Sequence, residues 1–113
     1  MADQTSDTPV LDLLSRMTAD SMLSAGLDGQ SLMLVRVAAL VAVGAPPASY
    51  LANLAAAESA DVDPEQLRGV LVAIAPIVGS ARVVAAAGNM MEAFGIAIAA
   101  AMEAAELEAE LQE

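Results

Sequence analysis

Few side chains in this chain could do chemistry. Arg36 sits in the middle of the apolar run "LMLVRVAAL", Tyr50 and Asn53 lie in "PPASYLANLAAAES", and Arg82 follows "PIVGS". The 113 residues contain no cysteine and no histidine. Thiolate nucleophiles and redox dithiols are therefore ruled out, as is an ordinary zinc or copper site. What remains is recognition chemistry. A guanidinium can hold a carboxylate, a phenol can pass a proton, and a carboxamide can orient a small polar ligand. Tyrosine and arginine are poor general bases near neutral pH, so binding is favoured over catalysis. No cofactor and no metal are expected.

Each candidate also has a plainer reading. A guanidinium surrounded by leucine and valine is expensive unless paired, so Arg36 is expected to form a structural ion pair with Glu58 or Glu92, or to reach toward solvent. Its functional reading is a group that binds a small carboxylate in a pocket. Tyr50, one turn before Asn53 and Leu54, is expected as a core or interface aromatic with its hydroxyl satisfied. Arg82 is expected as an ion-pair partner near the start of the last helix, and as a ligand clamp in the functional reading. Asn89 and Glu92 share a helix face at a spacing of three and read as mostly structural. Asp61, Asp63 and Glu65 alternate as calcium ligands can, but Asp63-Pro64 already explains itself as a helix start. Met90, Met91 and Met102 read as core or interface filler.

These residues must be positioned by helices. Hydrophobic residues make up 58% of the chain, yet only Tyr50 and Phe94 are aromatic. A core of Ala, Leu, Val, Ile and Met without β-branched, aromatic-rich runs implies an all-α fold. The length implies one domain. A net charge of −11, with four arginines and no lysine, repels phosphate backbones and anionic lipid surfaces. Nucleic acid and membrane are therefore not expected as partners. The polar, acidic start "MADQTSDTP" lacks the basic-then-apolar order of a signal peptide. The uncharged run Val37 to Ala57 is interrupted by Gly44, Pro46 and Pro47, which makes it two buried helices. A cytoplasmic protein is the expectation.

Punctuation residues set the boundaries. Thr8-Pro9 starts a helix that reaches about Ser24, and Gly26 ends it. Asp28 caps a second helix that stops at Gly44, and Pro46-Pro47 start a third that ends near Ser59-Ala60. Asp63, Pro64 and Gln66 form a capping box for a fourth, expected to end before Pro76. From Arg82 to Glu113 only Gly88 and Gly95 oppose helix, at about 1 kcal/mol each. Five glutamates (Glu103, Glu106, Glu108, Glu110, Glu113) crowd its C-terminal end, where the helix dipole disfavours anions. The resulting organisation is a flexible N-terminus over residues 1–8, one helical domain over 9–101, and an acidic tail over 102–113 that frays or projects. So much apolar helix surface in one small chain also points to self-association.

The stretches "LDGQSLMLVRVAALVAVGA", "AAAESADVDPEQLRGVLVAIAP" and "PIVGSARVVAAA" together resemble the carboxymuconolactone decarboxylase-like, alkylhydroperoxidase D-like family over roughly Leu27 to Ala87. The resemblance implies a small orthogonal helical bundle that assembles as a homo-trimer or a homo-hexamer. It places Pro46, Ser49 and Asn53 where the peroxidase branch carries Cys-x-x-Cys-x-x-x-His, and none of the three can replace a redox thiol. The decarboxylase branch resembles a histidine-based site, which this chain also lacks. The implied role is a non-catalytic, oligomeric helical protein, structural or small-ligand-binding, with Arg36, Tyr50, Asn53 and Arg82 as its candidate ligand-binding residues. The alternative is a lyase or decarboxylase that acts on a small carboxylated metabolite through Arg and Tyr side chains.

Overall fold

The computed structural model describes residues 7–112. Most of the expected flexible arm, and Glu113, lie outside that range. Five helices follow in order: α1 (Pro9–Ser24), α2 (Gly29–Val43), α3 (Pro47–Ser59), α4 (Pro64–Val78) and α5 (Ser80–Leu111). No strand occurs among the described residues.

Local chemistry accounts for nearly every boundary. The Asp28 carboxylate accepts hydrogen bonds from the Ser31 backbone N–H at 2.8 Å and from its hydroxyl at 3.0 Å. These bonds hold Asp28 below the usual carboxylate range. The α2 cap is therefore present in the ionised state and is lost as the pH falls through that lowered value. At the other end of α2, Gly44 adopts φ +70°, a left-handed conformation that costs glycine nothing. The Gly44 N–H reaches the Val41 carbonyl at 3.1 Å and the Ala45 N–H reaches that of Leu40 at 2.9 Å. This pair of bonds is a Schellman motif. Pro47 takes the first position of α3, and the Asp63–Gln66 box closes in both directions at 2.9 and 3.0 Å.

One boundary differs from expectation. Helix α4 runs through Pro76 to Val78. Proline removes a single N–H from the ladder, and the ladder resumes at once, because the Gly79 N–H bonds the Ala75 carbonyl at 3.0 Å. The turn comes at Gly79, with φ +92°.

Helix α2 is the centre of the packing. It lies against α3, α4 and α5, and α5 also lies against α3 and α4. Met33, Val37 and Val41 repeat every four residues along the buried side of α2. Val37 and Val41 meet Tyr50 of α3 and Ala86, Met90 and Ala93 of α5, with Leu67, Val70, Leu71 and Ile74 of α4 closing the cluster. The core is small: nine described residues are buried, all of them apolar or aromatic. The radius of gyration is 16.7 Å, against about 13 Å for a compact domain of this length.

Two elements account for the excess. Helix α1 buries none of its residues, and only Met22, near its end, lines a hollow with Leu32, Met33 and Ala56. Helix α5 continues as helix to Leu111, and every residue of the acidic tail from Met102 to Gln112 is exposed. The tail therefore continues as exposed helix beyond the core.

Candidate functional site

The candidate residues are placed by α2 and α3, which pack against each other. Arg36 comes from the half-buried flank of α2, and its Nε donates to the Asn53 Oδ1 on α3 at 3.1 Å. The Asn53 Nδ2 donates to the Ser49 carbonyl one turn earlier, at 2.8 Å. That second bond orients the amide, so its oxygen is the atom left to face the guanidinium. Arg36, Asn53, Ala39 and Leu40 line a shallow open cleft.

The expected ion pair of Arg36 with Glu58 or Glu92 is not formed. The only ion pair among the described residues joins Arg68 to Glu65 on α4, at 3.3 Å and on the surface. The Arg36 guanidinium tolerates its position because the residue is only half-buried, with solvent and a neutral amide in place of a carboxylate.

Tyr50 is buried, with 8% of its surface exposed, as expected of a core aromatic. Its hydroxyl is not satisfied: the oxygen is buried and has no hydrogen-bond partner among the described residues. Burial raises the phenol above its ordinary value of 10.0. Tyr50 and Asn53 line a second, apolar cleft with Leu40, Met90, Ala93 and Phe94. Leu40 and Asn53 therefore form a wall common to both clefts.

Arg82 is not part of this site. Its Nη1 donates to the Ala42 carbonyl at the C-terminal end of α2, six residues from Arg36, or about 9 Å along the helix. The expected carboxylate partner is replaced by a helix-end carbonyl, which carries the negative end of the dipole. Asn89 has the structural role that its sequence suggests, and donates to the Ala45 carbonyl at 3.1 Å. Arg82 and Asn89 thus fasten α5 to the turn between α2 and α3. A backbone carbonyl has no residue type to mark it, so the sequence carries no signal for these two acceptors.

The acidic triplet also resolves into structure. The Asp63 carboxylate is used in the α4 cap, while Asp61, at φ +60°, gives its carbonyl to the Gln30 side chain at 3.0 Å. No group of metal-ligating side chains occurs among the described residues. The segment Val37 to Ala57 is divided between α2 and α3, and among the described residues the helix long and apolar enough to cross a membrane is instead α5.

Comparison with protein-family models, with curated proteins and with solved structures gives no match.

Proposed function

We propose that this chain is a non-catalytic, self-associating helical protein of the cytoplasm, structural or small-ligand-binding in role, with the bundle architecture of the carboxymuconolactone decarboxylase-like, alkylhydroperoxidase D-like kind. The observation that carries this reading is the uncovered apolar surface of the two peripheral helices. On α1, Val10, Leu13, Leu14 and Met17 are exposed along one face. On α5, Val84, Met91, Ile98 and Met102 are exposed on the side away from Ala86, Met90 and Ala93. A small chain with so few buried residues gains more from covering these faces than from leaving them in water, at about 25 cal/mol per Å² of apolar surface. Light scattering at micromolar concentration is expected to give a multiple of the chain mass, with a trimer or hexamer as the family resemblance implies. A monomer mass there removes the proposal.

A second reading rests on Arg36. Its terminal nitrogens make no hydrogen bond among the described residues, and they border an open cleft beside an oriented amide. This is an arrangement suited to a small carboxylate. It favours binding over the lyase alternative, because Tyr50 has no hydrogen-bond partner to exchange a proton with among the described residues and is further from ionisation than an ordinary tyrosine. Arg36→Met is expected to cost about 1 kcal/mol or less, as for a half-exposed polar contact, and to abolish any thermal stabilisation by a panel of small carboxylates. A loss several times larger in the melt shows a structural role instead.

A further inference from the structure

Helix α5 carries a second stripe on its outer side. Val84, Gly88, Met91, Gly95, Ile98, Met102, Ala105 and Ala109 recur at steps of four and three, and all of them are exposed. This is the heptad spacing of a helix seam. The core-facing stripe of the same helix is a different one, Ala86, Met90 and Ala93. The outer seam therefore has no partner among the described residues.

The two glycines in the seam have no intrachain reason. A Cβ built on Gly88 or on Gly95 meets nothing within 4 Å, and neither residue has a positive φ. Glycine in a helix interior weakens it, so its use here is explained by what approaches from outside. Small residues spaced seven apart let a second helix come close.

We infer that the outer seam of α5 pairs antiparallel with the α5 of a second copy of this chain, with each glycine receiving a large side chain of its partner. This rests on the self-association proposed above and, being a two-fold contact, fits a dimer or the hexamer and not a trimer. In antiparallel order the seam matches itself: Gly95 opposes Met91, Gly88 opposes Ile98, and Val84 opposes Met102. Each of these three layers sets a smaller residue against a larger one.

Charge selects the antiparallel order. Glu103, Glu106, Glu108 and Glu110 lie at the C-terminal end of their own helix, beside the negative end of its dipole. A parallel pair would bring two such clusters together. In this register the antiparallel pair sets Glu103 level with Val83 and Glu106 level with Ser80 of the other copy, at the N-terminal end of its α5, where the dipole is positive. Helix α5 is also long and apolar enough to cross a membrane. A bilayer is the poorer occupant, because Glu92 lies mid-helix and Ala86, Met90 and Ala93 are already covered by protein.

The absence of native cysteine makes cross-linking the direct test. Gly88→Cys and Ile98→Cys chains are prepared separately, mixed, allowed to exchange, and oxidised gently. The expected result is a disulfide-linked heterodimer that requires both chains, with neither chain cross-linking to itself. Val84→Cys with Met102→Cys is the second pair, should either first variant fold poorly. Self-linked Gly88→Cys shows a parallel pair and overturns the antiparallel assignment. An oligomer by light scattering that cross-links in neither mixture shows that another surface assembles the chain. A monomer removes both this inference and the proposed self-association. Flotation of the unsubstituted protein with phosphatidylcholine vesicles assigns the seam to lipid and overturns the pairing.

Discussion

Met33→Ala is expected to remove a large part of the chain's stability, about 2–5 kcal/mol. Met33 is 1% exposed. Among the described residues it is one of two large side chains buried so completely, the other being Val41. It packs in the region where α2 meets Ala56 and Ala60 near the end of α3 and Met22 of α1. Those neighbours are small or peripheral and cannot collapse into the space a methionine leaves. The cost is therefore the lost transfer energy plus a cavity term. A domain of this size is stabilised by roughly 5–15 kcal/mol in total, and so small a core places it toward the low end. Urea unfolding followed by helical circular dichroism should show a midpoint displaced downward at an unchanged slope. A displacement worth less than about 1 kcal/mol, well under the range for such truncations, would mean that Met33 is not packed as described.

Tyr50→Phe is expected to act in the opposite direction and stabilise the protein by about 1–3 kcal/mol. The ring fills the same space, and the substitution deletes a buried hydroxyl that has no hydrogen-bond partner among the described residues. A buried polar group without a partner costs its full desolvation penalty, about 1–3 kcal/mol. The pH dependence follows with a definite sign. The folded phenol titrates above its ordinary value of 10.0 because burial disfavours the phenolate. The unfolded chain therefore loses that proton first as the pH rises. The stability linked to it is complete below about pH 10 and declines as the pH rises through the folded value. Tyr50→Phe should lack this alkaline component. If the substitution lowers the urea midpoint at neutral pH, the hydroxyl has a partner in the assembled protein, and a group on a second copy is then the place to look.

The helices are legible in the sequence wherever local chemistry decides them. Asp28, Gly44, Pro47, Asp63 and Gln66 act on backbone groups within a few residues, so residue type and order suffice. Pro76 departs from its expected role because one missing N–H near the end of a helix is a small loss, and apolar packing of α4 on α2 and α5 outweighs it. The site is legible in its members but not in its pairings. Arg36 and Asn53 each stand out, yet their contact depends on how α2 lies against α3, and no spacing within one helix encodes that. The carboxylate partner expected for Arg82 fails for the same reason: its acceptor is a carbonyl forty residues away.

That forty-residue separation has a consequence for the order in which the chain acquires its structure. Ala86, Met90 and Ala93 supply one side of the core, and Arg82 and Asn89 supply the fastenings of the α2–α3 turn. All five belong to α5, which is synthesised after the other four helices. At about 5–20 residues per second, α2, α3 and α4 wait seconds with their shared apolar face open to water before α5 arrives. Their caps can hold them as nascent helices during that interval, but the side chains that lock them together do not yet exist. The bundle therefore closes only when its fifth helix has left the ribosome, and the interval before then is when the nascent chain most needs shielding from its neighbours.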